Sequence, residues 1–145
     1  MRKRFYDKNR QYTEGFLKEY KHWILEVSYR QHTLGSFIIF SKRKGVENIT
    51  QLTDAETVEL KEVMQDAETA LGKNPLFQPD KFNYWQMGNK LKHLHFHGIP
   101  RYKDEREFAG RIWKDKTYGN VPVWSKKDEK HQLVKAIRES LKKFL

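Results

Sequence analysis

Apolar residues alternate with polar ones in some stretches of the chain and recur with helical spacing in others. Trp23-Ile24-Leu25-Glu26-Val27-Ser28-Tyr29 is made of strand-forming residues, and Gly35 to Lys42 is a second strand, apolar enough to sit centrally in a sheet. The connection Arg30 to Leu34 predicts a hairpin between them. From Thr53 to Leu71 the period changes: Leu60, Val63, Met64, Ala67, Ala70 and Leu71 form one apolar stripe on a helix. Thr53-Asp54-Ala55-Glu56 reads as its capping box, and Gly72 stands where a helix stops. After a proline-bearing loop from Asn74 to Asp80, Lys81 to Met87 is a third strand and Gly88-Asn89 a turn. His93-Leu94-His95-Phe96-His97 then alternates again, as a strand antiparallel to the third if that turn is tight. Phe108 to Trp113 fits a short edge strand, and Tyr118 to Trp124 a loop. Ser125 to Leu145 is a basic amphipathic helix with Leu133, Val134, Ile137 and Leu141 on its apolar face.

These elements predict an α+β domain over residues 21–145, preceded by a basic arm, residues 1–20, with no clear period. A chain of 145 residues favours one domain with one core, and an aromatic share of 14% supplies burial that the aliphatic residues lack. With no cysteine there is no disulfide framework and no thiol nucleophile. No apolar run approaches a membrane span, and no apolar signal segment follows Met1-Arg2-Lys3-Arg4, so no membrane association and a cytoplasmic location are expected. The net charge of +10 adds an attraction for anions, with Lys90 and Lys92 beside the histidine run.

The run from His93 to His97 is the candidate for chemistry. In a strand its three imidazoles would leave one face about 6.5–7 Å apart, with Leu94 and Phe96 turned to the core. Such a row suits metal binding or phosphate handling. Zinc needs three or four converging ligands. His22, His32 and His131 form no spacing motif with the run, cysteine is absent, and the run contains no carboxylate. Phosphate handling is therefore expected, with no metal and no other cofactor assigned. Asn83, mid-strand among apolar neighbours, needs a partner for its amide, which points to a functional or network role.

His93-Leu94-His95-Phe96-His97-Gly98-Ile99 resembles the signature of the histidine triad (HIT) superfamily, His-φ-His-φ-His-φ-φ with φ apolar. Gly98 departs from it. Asn83 and Gly88-Asn89 look like the approach to the triad in bacterial nucleotide-hydrolase-like members, and Ile99-Pro100-Arg101-Tyr102 fits the exit. The likeness spans roughly Trp23 to Trp113. It implies an antiparallel sheet of about five strands with a capping helix and a C-terminal helix, assembled as a homodimer. It also implies a metal-independent nucleotidyl hydrolase or transferase, acting on the α-phosphate of a dinucleoside polyphosphate or a nucleoside phosphoramidate. By that likeness His95 is the nucleophile, and His93 and His97 orient it, bond phosphate oxygens and move the leaving group's proton. Asn83, Gly88, Asn89, Lys90 and Leu91 would hold the phosphates. Ile24 or Phe37 would line a base pocket. The sequence carries Ser36 where many members have a supporting histidine, and Ser28 near the place of a family asparagine. These departures keep a second reading open, a nucleotide-binding module with little turnover. The basic charge motivates a third, action on adenylylated nucleic-acid ends, which is not the favoured one.

Overall fold

A computed structural model describes residues 14–145, so most of the expected basic arm, with Arg2 to Arg4, Lys8 and Arg10, lies outside the described residues. The strands are β1 (Phe16–Glu19), β2 (Trp23–Val27), β3 (Phe37–Ser41), β4 (Lys81–Trp85), β5 (His95–Arg101), β6 (Arg106–Phe108) and β7 (Arg111–Trp113). The helices are α1 (Asp54–Lys73) and α2 (His131–Lys142). Five strands form one antiparallel sheet in the order β1-β2-β3-β5-β4, which puts the apolar β3 in the middle.

The sheet's two faces differ. Trp23, Leu25, Val27, Phe37, Ile39, Leu94 and Phe96 point to one side and form the main core with Leu60, Val63, Ala67 and Leu71 of α1 and Val134, Ile137 and Leu141 of α2. Ile24, Ile38 and Phe40 form a small cluster on the other side, the side that carries the β5 histidines. Helix α1 begins at the expected box: Glu56 N–H donates to Thr53 Oγ1 at 3.1 Å, and Thr53 N–H donates to Glu56 Oε1 at 2.9 Å. Such a cap stabilises the helix by about 1 kcal/mol.

Several expectations need correction. The end of the expected arm forms β1, because Phe16 to Glu19 pairs with Ile24 to Glu26. Phe108 to Trp113 is not a single edge strand but part of a two-stranded hairpin, β6–β7. Ala109 and Gly110 turn it with positive φ at both positions, 53° and 72°, the backbone that a tight hairpin of this twist requires. The C-terminal helix starts at His131, so Lys126 and Lys127 precede it rather than lying on its polar face. The link from β4 to β5 is a nine-residue connection, residues 86–94, not a tight turn, although the strands are antiparallel neighbours. Gly98 is explained by its neighbour: a Cβ there would lie 2.1 Å from Phe37 Cε2, since the Phe37 ring lies over the glycine. Phe37 therefore belongs to the core face and is unavailable to a base pocket, whereas Ile24 faces the histidine side.

Candidate active site

β5 begins at His95, two residues later than the sequence implies, and His93 precedes the strand. Local backbone bonds cause the shift. Ser41 N–H still donates to Leu94 O at 3.1 Å in register with the ladder, but Leu94 N–H donates away from β3, to Val46 O at 2.9 Å. His93 therefore lies just outside the strand that carries His95 and His97. His93 turns its ring to β3, where Nε2–H donates to Ser41 O at 2.5 Å. His95 and His97 stay together, ring centroids 5.0 Å apart and nearly perpendicular at 81°.

The decisive bond is that between His95 Nδ1 and His93 O, 2.7 Å long. A carbonyl oxygen only accepts, so Nδ1 carries the proton and the lone pair of the neutral ring sits on Nε2. Backbone geometry thus fixes the tautomer of His95, which is 7% exposed. The ring lies near-parallel to Phe40, centroids 5.6 Å apart, over the Ile24, Ile38 and Phe40 cluster.

On the far side of His97 stands an aromatic group that spacing did not reveal. Trp124 meets His97 edge-on at 4.9 Å, lies tilted by 35° against Trp85 at 5.1 Å, and stacks on His32 at 4.0 Å with 21° between planes. His32 in turn meets His97 edge-on at 6.0 Å. An open cavity of about 370 Å³ is lined by Trp85, Met87 and Trp124. Only cross-strand register could have shown Trp85, which pairs with His97. His32 and Trp124 are 92 positions apart (124 − 32) and share no local signal. His32, which forms no spacing motif with the run, meets it through His97. His22 and His131 make no such contact among the described residues.

The expected phosphate-holding residues divide. Asn83 sits opposite Ile99, and its Oδ1 accepts from Arg101 Nη1 at 2.8 Å, while its Nδ2 donates to Phe82 O at 3.2 Å. Its amide is committed to a network around Arg101. Gly88, Asn89, Lys90 and Leu91 lie in the connection leading into the triad. Asn89, Lys90 and Leu91 are exposed there, with Gly88 at a φ of 80°. Ser28 and Ser36 are buried in local turn bonding: Ser28 Oγ accepts from Arg30 N, and Ser36 Oγ donates to Thr33 O. Among the described residues no group of three or more His, Asp or Glu is placed to hold a metal ion. No helix among them is long and apolar enough to cross a membrane.

A family model described as the HIT domain matches residues 29–104. The chain belongs to the HIT domain family. Solved structures agree on the fold. A Hit-like protein from Bartonella henselae, described as involved in cell-cycle regulation, is similar at 17% identity and TM-score 0.65, covering 95% of this chain and 90% of that one. A zinc-bound histidine triad family protein from Mycobacterium smegmatis is similar at 16% identity and TM-score 0.62, over 93% and 88%. A HIT family member from Bacillus subtilis reaches 23% identity and TM-score 0.56, over 90% and 87%. No curated protein matches the chain by sequence. At these identities the structures speak for the HIT fold and not for a shared substrate.

Proposed function

We propose that the protein is a nucleotidyl hydrolase or transferase that works through a covalent nucleotidyl-histidine at His95. The observation that carries this reading is the bond from His95 Nδ1–H to the carbonyl of His93. It leaves Nε2 as the nucleophile and stabilises the positive charge that the ring gains on attack. The Nε2 lone pair forms a bond to the α-phosphorus, and the bond from that phosphorus to the leaving oxygen or nitrogen breaks. The leaving group takes up a proton, which a ring nitrogen of the adjacent His97 is positioned to move. Water then attacks the same phosphorus, the P–N bond breaks, and the nucleoside monophosphate leaves with His95 neutral again. The substrate is a dinucleoside polyphosphate or a nucleoside phosphoramidate, and no metal is required by this scheme. His93 acts through its carbonyl, with its own ring anchored on Ser41. Gly88, Asn89 and the backbone of Lys90 and Leu91 remain the residues proposed to meet the phosphates, and Asn83 is withdrawn to the Arg101 network. A homodimer is proposed from family likeness alone.

The test is turnover of a panel of dinucleoside polyphosphates and nucleoside phosphoramidates. Wild-type protein should release nucleoside monophosphate, and rapidly quenched samples should contain protein heavier by one nucleotidyl group. His95→Ala should melt normally and show neither. Full turnover by His95→Ala would discard the mechanism. The alternative, a binding module with little turnover, is favoured by the way Ser28 and Ser36 spend their hydroxyls on turns. Nucleotide binding without any product from the panel would decide for it.

A further inference from the structure

The open cavity beside the histidines is lined by side chains of one kind, the indoles of Trp85 and Trp124 and the thioether of Met87. Its volume of about 370 Å³ falls within the range of small-molecule sites. Register places Trp85: it pairs with His97 across β4 and β5, so both side chains leave the same face of the sheet. Trp124 is placed by His32. It stacks on that ring at 4.0 Å, and His32 Nδ1 accepts from Ser125 N–H at 2.9 Å, which leaves the proton of the neutral ring on Nε2. The stack and the bond together hold Trp124 against the sheet. With centroids 5.1 Å apart and 35° between planes, the two indoles touch and leave no space for a third ring between them. They form one bent wall, and a flat ligand would lie on its open side, beside the half-exposed Met87. Indole faces and a polarizable sulfur suit an aromatic ring.

We propose that Trp85, Met87 and Trp124 form a subsite for the nucleobase of the leaving nucleotide, and that the substrate class is therefore dinucleoside polyphosphates rather than phosphoramidates of small amines. Sheet order assigns the cavity to the leaving group. β3 and β4 lie on opposite sides of β5. His95 lies along Phe40 of β3, whereas the indole wall belongs to the β4 side and meets His97 edge-on at 4.9 Å. The leaving group departs towards the residue that moves its proton, and that residue borders the wall. Lys90 and Lys92, exposed in the same connection that carries Met87, supply positive charge for the phosphate chain that links the two ends. The inference rests on the proposed role of His97, but occupation of the cavity can be read without turnover.

The experiment is calorimetric titration with two methylene-bridged, non-hydrolysable ligands, diadenosine tetraphosphate and adenosine 5′-tetraphosphate. Both carry the same phosphate chain, and only the first has a second base. Wild-type protein should bind the two-base ligand roughly tenfold more tightly. The indole N–H signals of Trp85 and Trp124 should shift with that ligand alone. Trp124→Leu should weaken the two-base ligand roughly tenfold and change the one-base ligand by less than about twofold, and Trp124→Phe should restore most of the loss. Met87→Ala, at a half-exposed position where folding is not at stake, should weaken the two-base ligand roughly threefold. Equal affinities in the wild type, or a preference that survives Trp124→Leu, would overturn the proposal. So would equal losses for both ligands, which would give the wall to the base of the transferred nucleotide. The wild-type comparison decides even if a variant fails to fold. A preference that depends on Trp124, in a protein that turns over no substrate, would uphold the subsite and reject the enzymatic reading. Turnover through His95 without any such preference would reject the subsite alone.

Discussion

Two polar constellations lie on the same face of β5, four and six residues apart along one strand: His97 and His95 with their aromatic neighbours, and Arg101 with its acceptors. Arg101 is 1% exposed, and each of its five N–H groups has an acceptor. Nε and Nη2 grip Asp115 at 2.7 and 3.1 Å, Nη1 reaches Asn83 Oδ1 and Asn120 O, both at 2.8 Å, and Nη2 also reaches Thr117 O at 2.5 Å. The histidine end is different. His32 keeps a buried N–H without an acceptor, and the open cavity beside Trp85 and Trp124 leaves room for a ligand. A saturated buried charge holds loops in place, whereas a polar cluster with capacity to spare can take up a ligand. The contrast explains why Asn83, which looks like a site residue by its place in the chain, serves the architecture.

The strongest way to break this comparison is to treat Arg101 as replaceable. Arg101→Leu leaves the Asp115 carboxylate buried, 2% exposed, without its partner. A loss of about 3–5 kcal/mol is expected in urea unfolding, a large fraction of an ordinary domain's stability. Arg101→Leu with Asp115→Leu should recover part of that loss, because the stranded charge is gone. The His95 and His97 ring signals of the folded fraction should not move. An Arg101→Leu protein that unfolds at wild-type urea concentrations would show that saturation at this end carries no structural weight.

A smaller effect separates the strand's two faces. Gly98→Ala drives a methyl into the Phe37 ring, with 2.1 Å between the new Cβ and Cε2. Overpacking of this kind costs about 1–3 kcal/mol. Phe37→Leu in the same chain should recover stability by clearing the space, since coupling is expected only between touching residues. Additive losses in that double variant would mean that Phe37 is not the obstacle.

The ease with which each end could be read from sequence follows from the same physics. His93, His95 and His97 declare themselves by alternation, Leu94 and Phe96 by apolarity, and α1 by Thr53, Glu56 and its stripe, because these signals are local. The late start of β5 was not legible, since Leu94 N–H bonds to Val46, far away in the sequence, instead of to β3. Nor were His32, Trp85 and Trp124, which come together only when the loop after β2, the end of β4 and the segment before α2 gather beside β5. Gly98 looked like a weakened signature until Phe37 was seen above it. The place of Asn83 among apolar neighbours shows that its amide needs a partner, but nothing near it in the sequence points to Arg101.

Acid titration gives the finest distinction, because the two kinds of buried group lose stability in different pH windows. The His32 pKa falls from 6.5 to about 4 on folding, with burial the larger cause and Arg30 the smaller. As pH drops below 6.5 the unfolded chain takes up a proton that the folded ring refuses until about pH 4. Stability should therefore decline across that window and then level off. Glu56 behaves as a paired carboxylate: Arg43 holds its pKa at about 2 against an ordinary 4.5, aided by the bonds from Thr53. Its contribution is complete above 4.5 and disappears as pH falls towards 2. The informative quantity is a difference between variants. Unfolding free energies of wild type and His32→Phe should converge as pH falls from 6.5 to 4, with Glu56→Gln flattening only the lower limb. Parallel curves through the upper window would mean that His32 is protonated as readily in the folded protein as in the unfolded one.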